Sequence, residues 1–238
     1  MSLLARLRSR IRDRIATRLG VPEIPRTLAR LAAQGFRPAT ILDVGAYRGD
    51  FAVLCRQLWP SARIACVEPL QARAAELRQR MGPAVPVHEV LLGAEDRTAV
   101  PFFEYETGSS VLPEHVRQPH PAVPHPMRRL DALAGEDFGG RGPELLKLDV
   151  QGYELEVLRG AQSSLRDMRA ILAEVNFIDL HEGAPLLAPL VAWLEERNFV
   201  AFDICGLTRR PLDGALWQAD LLFVPRDSPL RADKRWRA

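Results

Sequence analysis

Short apolar runs alternate with amphipathic segments along most of this chain, and that alternation limits the fold more than any other feature. The runs typical of strands cover residues 40–44, 63–67, 87–91, 98–103, 144–150, 170–175, 200–204 and 219–224. The segments with a helical spacing of apolar residues cover 49–58, 70–81, 153–166 and 184–197. Strands that alternate with helices indicate βαβ units. We therefore expect an α/β fold with a mainly parallel sheet and helices on both faces.

The C-terminal part departs from this alternation, because residues 206–216 join the last two apolar runs without a helical segment. This predicts a hairpin that brings a late antiparallel strand into the sheet. The chain has 238 residues, of which 47% are hydrophobic and 26% are charged. A chain of this length and composition is expected to form one globular domain with a sizeable core.

Residues 1–20 combine an apolar stripe with a high density of arginine. Leucine or isoleucine recurs at every fourth position from Leu3 to Leu19, and six arginines stand against Asp13 alone. This spacing predicts a basic amphipathic helix. We expect it to pack on its own domain or on the second subunit of a homodimer; peripheral contact with an anionic membrane, or with a partner helix, is the alternative. The net charge of only +2 argues against a nucleic-acid partner.

A proline-rich segment covers residues 106–126. Five prolines there are interleaved with His115, His120 and His125. A loop of this length inside a domain is typical of a lid, a binding loop or a disordered segment. The spacing of five residues between the histidines fits no compact zinc motif, so we assign no metal to them.

The cysteines and the N-terminus bear on the compartment. Cys55, Cys66 and Cys205 form no close pair and leave an odd count, which predicts reduced thiols and a cytoplasmic location. Arginines interrupt the N-terminus too often for a signal peptide, and no segment has the roughly 18 consecutive apolar residues of a membrane span.

The stretch "ILDVGAYRGDF", residues 41–51, carries the strongest chemical signal. An apolar strand ends there, the chain turns through Gly45 and Gly49, and a helix begins whose N-terminus faces a ligand. No lysine followed by serine or threonine comes after Gly49, so a phosphate-binding P-loop is not expected. Tyr47 stands where the dinucleotide fingerprint needs its second glycine, so an NAD-dependent oxidoreductase is the less favoured reading.

Carboxylates end two successive strands, Asp43 in the first and Glu68 in "CVEPL". Glu68 lies about 20 residues beyond the glycine turn, where an acidic residue accepts ribose hydroxyls in nucleotide-binding α/β folds. Asp43 can complement an ammonium or a sulfonium. Together they point to S-adenosyl-L-methionine. The alternative is structural: Asp43 satisfies turn amides and Glu68 caps a helix.

The chain resembles the FkbM-type methyltransferases over roughly residues 38–225. The resemblance rests on "DVGAYRGDFA", "CVEPL", "GSSVL", "RRLDAL", "LLKLDVQGYELEVLRGA", "LAEVNF" and "QADLLFV", in the family's order. Tyr47 departs from the asparagine usual in the family, and Gln151 occupies a slot that is often glutamate. The resemblance sets residues 38–225 as the methyltransferase domain, with a basic helix and helical lead-in before it, 1–37, and a polar tail after it, 226–238.

That resemblance implies a class I, Rossmann-like methyltransferase fold with a mainly parallel seven-stranded sheet. It also implies O-methylation of a hydroxyl on a small molecule or glycan, such as a natural-product scaffold, a sugar or a polysaccharide. The different-class alternative is a noncatalytic protein of this fold, recruited to a membrane or a biosynthetic complex through residues 1–20.

The expected site lies beyond the carboxyl ends of the strands. We expect catalysis from Asp149, supported by Glu174 and His181. The side chains of Asp149, Glu174 and Asn176 offer oxygen ligands of the type that Mg²⁺ prefers. A Mg²⁺ site is therefore an alternative, but we do not favour it. Lys147 lies on the same strand face as Asp149, and it either pairs with a carboxylate or snorkels. The expected cofactor-binding residues are Asp43, Gly45, Ala46, Tyr47, Gly49, Glu68, Pro69, Ser110 and Asp149.

Overall fold

The computed structural model describes residues 19–105, 107–115 and 121–237. Its α-helices are α1 (Ile24–Ala33), α2 (Asp50–Leu58), α3 (Gln71–Met81), α4 (Leu130–Phe138), α5 (Glu154–Arg159) and α6 (Leu187–Glu196). Its strands are β1 (Thr40–Val44), β2 (Arg63–Val67), β3 (Val87–His88), β4 (Leu91–Leu92), β5 (Arg97–Phe102), β6 (Val123–Arg128), β7 (Leu145–Leu148), β8 (Ala170–Asn176), β9 (Phe199–Arg209) and β10 (Leu216–Pro225). Two short 3₁₀ helices cover Ser164–Asp167 and Pro229–Arg231.

Seven strands form the main sheet in the order β3-β2-β1-β7-β8-β10-β9. The pairs from β3 to β8 are parallel, and β10 is antiparallel to both β8 and β9. The predicted mainly parallel sheet and the predicted C-terminal hairpin are therefore confirmed. The order reverses at β1, where β2 lies on one side and β7 on the other, and this switch point opens a crevice at the carboxyl ends of the strands.

Two apolar layers cover the faces of the main sheet. Alternate residues of β1 serve opposite layers: Leu42 and Val44 join the cluster that holds α4, α5 and α6, whereas Ile41 joins the cluster that holds α1, α2 and α3. The central strands are buried on both faces, which explains why their sequences are continuous apolar runs. Asp43 and Lys147 interrupt those runs inside the sheet.

A second, three-stranded sheet has the order β4-β6-β5. Its central strand lies in the segment expected to be a loop, and it contains Pro124 and Pro126. β4 pairs only with Met127 and Arg128, so both prolines lie where β6 has a single partner strand and their missing N–H groups cost little.

Other expected bounds are also wrong in detail. The run 87–91 is two strands that belong to different sheets. The strand expected to reach residue 150 ends at Leu148, and the helix expected over 153–166 ends at Arg159. Helix α4 was not predicted; Gly135 lies inside it and weakens its helical signal, but Leu130 and Leu133 are fully buried.

The structure describes most of the C-terminal tail but not the first 18 residues. The predicted basic helix covers residues 1–20, of which residues 1–18 lie outside the described part. Helix α1 lies in the expected lead-in and packs against α2 and β9. In the tail after residue 225, Leu230 packs against the core. All three cysteines are buried and free. None of the described helices combines the length and the apolar character needed to cross a membrane.

Candidate active site

A cavity opens at the switch point of the main sheet, where β1, β2 and β7 end. One side carries polar groups from the glycine turn and the two neighbouring strand ends; the other side is apolar. The polar side includes Gly45, Tyr47, Glu68, Asp149 and Gln151. The apolar side is formed mainly by Leu70, Val90, Leu91, Phe102 and Val111. A cavity with one apolar wall and a few convergent polar groups is typical of a small-molecule site.

The glycine turn after β1 is tightly held. The backbone N–H groups of Gly45 and Ala46 both donate to the carbonyl oxygen of Val67, at 3.0 Å each. Gly45 has φ +73°, and a Cβ at this position would lie 1.8 Å from the carbonyl oxygen of Asp149. The turn therefore touches both neighbouring strands, and only glycine allows so close an approach.

Glu68 fixes the next part of the turn. Its Oε2 accepts the backbone N–H of Tyr47 at 2.7 Å, and its Oε1 accepts the backbone N–H of Leu70 at 3.0 Å. Tyr47 has φ +47°, a left-handed conformation that asparagine adopts more readily than tyrosine. Burial raises the pKa of Glu68. The predicted structural role is thus present, and the same carboxylate lines the cavity with acceptor capacity left over.

Asp43 lies beneath the cavity and does not contribute to its described wall. Its side chain is 0% exposed, and Oδ1 lies 3.5 Å from Nζ of Lys147. Burial raises the pKa of Asp43, and the Lys147 charge opposes that rise. The nearby carboxylate that does reach the cavity is Asp149, whose side chain is 37% exposed.

Lys147 joins the elements that meet at the switch point. Its Nζ donates to the carbonyl oxygen of Gly45 at 2.8 Å and lies 3.2 Å from Oδ2 of Asp149. Burial lowers the pKa of Lys147, but the charges of Asp149 and Asp43 outweigh burial and raise the pKa above its usual value. The ion pair is therefore present, and snorkelling to solvent is not observed.

A polar network continues from Asp149 across the ends of β8 and β10. Nε2 of Gln151 donates to Oδ1 of Asp149 and to Oε1 of Glu174, at 2.9 Å each. Nε2 of Gln218 donates to the same Oε1 of Glu174 at 2.7 Å and to Oδ1 of Asn176 at 3.2 Å. Burial raises the pKa of Glu174 well above its usual value, and the neighbouring Asp149 adds to that rise.

The loop after β7 is braced from two sides. Oε1 of Glu154 accepts the backbone N–H groups of Val150 and Gly152, at 3.0 Å and 3.2 Å. The hydroxyl of Ser110 donates to the carbonyl oxygen of Gln151 at 2.8 Å. Burial raises the pKa of Glu154 to about 7. These contacts hold Gln151 at φ +53°, again in the left-handed region.

The structure brings only part of the predicted set to the cavity. Ser110 is fully buried behind the neighbouring wall residue Ser109. His181 is 1% exposed and contacts the carbonyl oxygen of Gly108 through Nε2, at 3.3 Å. In the described part of the chain, Gly45, Tyr47, Glu68, Pro69 and Asp149 line the cavity. Asp43, Ala46, Gly49, Ser110, Glu174 and His181 do not, so their roles stay predictions.

Sequence reasoning missed Gln151, Gln218 and Glu154 as members of the site. In the sequence, Gln151 stands out only because it occupies a slot that is often glutamate in the family. Gln218 stands in "QADLLFV" on the last strand, 67 residues along the chain from Gln151. No local pattern marks it, because β10 reaches the site only through the antiparallel pairing with β8.

The strand order, the glycine turn and the acidic residue after β2 define a class I methyltransferase, an enzyme that depends on S-adenosyl-L-methionine. Residues 43–201 match the family model described as the methyltransferase FkbM domain. The chain therefore belongs to the FkbM methyltransferase family.

Individual relatives are more remote. The 2-O-methyltransferase NoeI of Sinorhizobium fredii (strain NBRC 101917 / NGR234) is 29% identical over 178 residues, which cover 68% of this chain and 73% of the relative. Methyltransferase 1 of Beauveria bassiana (strain ARSEF 2860) is 29% identical over 181 residues, 67% of this chain and 71% of the relative. The solved 1,6-didemethyltoxoflavin-N1-methyltransferase of Burkholderia thailandensis aligns with 95% of this chain and 92% of its own, at 15% identity and a TM-score of 0.45.

Proposed function

We propose that the protein transfers a methyl group from S-adenosyl-L-methionine to a hydroxyl of a small molecule or glycan. The observation that carries the proposal is that Glu68 and the exposed carboxylate of Asp149 line one cavity together with apolar side chains. The cofactor, when bound, supplies an electrophilic methyl group on a sulfonium.

The cavity residues fit this cofactor. Each Glu68 oxygen accepts one backbone N–H, and a carboxylate has about four acceptor positions, so capacity remains for ribose hydroxyls. The apolar side chains of Leu70, Val90 and Phe102 suit a nucleobase. Asp149 places a negative charge on the same wall, which favours a cationic ligand.

Asp149 is the residue we assign to the acceptor hydroxyl. Methyl transfer to an alcohol requires that the oxygen be positioned for in-line attack and that its proton be removed. Each oxygen of Asp149 has one described partner, Lys147 or Gln151, and retains a further lone pair toward the cavity. The N–H groups of Gln151 join the carboxylates of Asp149 and Glu174, and Mg²⁺ at these oxygens stays a prediction that is not favoured.

Two observations support a hydroxylated acceptor. Thr107, Gly108 and Ser109 contribute small and polar groups to the cavity lining, and one relative is named a 2-O-methyltransferase. The match to a methyltransferase domain argues against a noncatalytic role. Contact with a membrane or a partner helix stays a prediction, and so does a homodimer, because both depend on residues 1–20. A cytoplasmic location also stays a prediction. We keep residues 38–225 as the proposed catalytic unit.

The test combines labelled cofactor with extracts of the source organism. The wild-type protein is incubated with S-adenosyl-L-methionine labelled in the methyl group, and the labelled product is identified by mass spectrometry. We expect the label on an oxygen of a hydroxylated compound. The variant Asp149→Asn keeps the side-chain shape and removes the base, so we expect a 10²–10⁴-fold lower rate.

The matched control is Asp50→Asn, since Asp50 is an exposed aspartate at the start of α2 that faces Arg80. It should transfer the label at the wild-type rate. Label on nitrogen or carbon alone, or undiminished transfer by Asp149→Asn, would contradict the proposal.

A further inference from the structure

Gln151 makes two hydrogen bonds that cross the site. Its terminal amide has two N–H groups, and Nε2 lies 2.9 Å from Oδ1 of Asp149 and 2.9 Å from Oε1 of Glu174. Each N–H can therefore serve one carboxylate. The Gln151 side chain also lines the cavity, so it forms a bridge between the exposed carboxylate and the buried one at the cavity edge.

The backbone of Gln151 is held in an unfavourable conformation. Its φ of +53° lies in the left-handed region, which costs a residue with a Cβ roughly 1–2 kcal/mol. Glu154 fixes the amides on both sides of it, and Ser110 fixes its carbonyl oxygen. Because three contacts hold this geometry, the side chain has few other places to point than between the two carboxylates.

The charges around this bridge explain what it does. Asp149 receives one positive partner, Lys147, at 3.2 Å. Glu174 is partly buried, and Gln218 donates to the same Oε1 of Glu174 at 2.7 Å. Without the N–H groups of Gln151, no donor would lie between the carboxylates of Asp149 and Glu174. Lys147 would then be the one described partner left to hold Asp149, at its Oδ2.

We propose that Gln151 is a positioning residue for methyl transfer: its amide fixes the rotamer of Asp149 by tying that carboxylate to Glu174. This rests on the proposed function, in which Asp149 receives the hydroxyl proton. A displacement of about 1 Å at a reacting group lowers a rate by about 10²-fold, so loss of the bridge should act on turnover more than on cofactor binding.

Two variants remove the bridge in different ways. Gln151→Met keeps the length of the side chain and has no donor. Gln151→Leu has an apolar side chain of similar volume and no donor either. The matched control is Gln162→Met, because Gln162 is exposed and donates only locally, to the carbonyl oxygen of Arg159.

Three quantities are measured for each protein: the thermal midpoint of unfolding, the Kd for S-adenosylhomocysteine by calorimetry, and the initial rate of label transfer from S-adenosyl-L-methionine to the extract at varied cofactor concentration. For Gln151→Met we expect a Kd and a cofactor KM within threefold of wild type and a maximal rate at least tenfold lower. Gln151→Leu should show the same pattern, and Gln162→Met should match wild type.

The outcomes separate this inference from the function it rests on. If the wild type transfers no label to oxygen, the proposed function fails and the role of Gln151 fails with it. If the wild type is active and Gln151→Met retains its rate within threefold, only the positioning role is overturned. A rate loss matched by an equal loss of S-adenosylhomocysteine affinity would also overturn it. If Gln151→Met does not fold, Gln151→Leu decides by the same criteria.

Discussion

Strand register decides which carboxylates reach the cavity. Asp43 and Lys147 are direct partners in the pairing of β1 with β7, so Asp149 lies two residues nearer the cavity than Asp43. The sequence shows acidic residues at the ends of both strands but cannot show how far each strand extends. For this reason Glu68 and Asp149 were predicted at the cavity and are there, whereas Asp43 was predicted there and is buried.

Gly45 should be essential for cofactor binding. In Gly45→Ala the new Cβ would meet the carbonyl oxygen of Asp149 at 1.8 Å, so the turn must move away from β7. We expect loss of S-adenosylhomocysteine binding by at least tenfold, measured by calorimetry. Gly35→Ala is the control: Gly35 has φ +88° but open space around it, so the change should cost about 1 kcal/mol of stability and leave binding unchanged.

Glu154 should make the stability of the protein depend on pH. Burial raises its pKa from 4.5 to about 7 in the folded protein. The folded state therefore holds this proton more tightly, so the associated stability is complete below pH 4.5 and is lost as the pH rises through about 7. Between pH 5 and pH 8 the free energy of unfolding of wild type should fall by roughly 2–3 kcal/mol more than that of Glu154→Gln.

Urea denaturation of both proteins at the two pH values measures this difference. The variant should keep the acceptor for Val150 and Gly152 through its amide oxygen. Titrating groups remote from Glu154 are common to both proteins and cancel. The Glu154 charge also raises the pKa of Glu174, so the same pair is compared in a Glu174→Gln background. Parallel changes in the two proteins would show that Glu154 does not titrate in this range.

Among the strands and helices, the spacing of apolar residues located most of the long elements. It failed for strands whose pairing partners are distant in sequence. The run 87–91 was read as one strand because nothing local shows that its first residues pair with β2 and its last with β6. Likewise, β6 was read as loop because of its prolines, which are tolerated only because of where β4 stops. Pairing partners are a tertiary property that a local pattern does not contain.

Ser110 provides a prediction about how the elements are joined. Its hydroxyl donates to the carbonyl oxygen of Gln151 and accepts the N–H of Leu112, and it links the 107–115 segment to the loop after β7. Ser110→Ala leaves buried polar groups without this partner, so we expect about 1–3 kcal/mol of destabilisation by urea denaturation and a several-fold rise in the cofactor KM.

The control for that prediction is Ser164→Ala. Ser164 is also buried and its hydroxyl donates to Asp131 at 2.7 Å, at the opposite end of the main sheet from the cavity loops. It should lose comparable stability with an unchanged KM. Equal changes of the cofactor KM in both variants would show that the Ser110 contacts have no specific effect on cofactor binding.

For the whole molecule, the alternation of strands and helices was sufficient to predict the fold class, and the late hairpin was visible as a missing helix. The polar network was not predictable as a unit, because it joins β7, β8 and β10 through Gln151, Glu174 and Gln218. We therefore predict that the cavity at the switch point binds S-adenosyl-L-methionine through Glu68.

Calorimetric titration with S-adenosyl-L-methionine tests that claim directly, on wild type, Glu68→Gln and the exposed control Glu95→Gln. A glutamine at 68 can accept only one of the two backbone N–H groups that Glu68 now accepts, so both the turn and the ribose acceptor are impaired. We predict one site in wild type, an unchanged Kd in Glu95→Gln and at least tenfold weaker binding in Glu68→Gln. Absence of binding by wild type, or equal binding by all three proteins, would contradict the account.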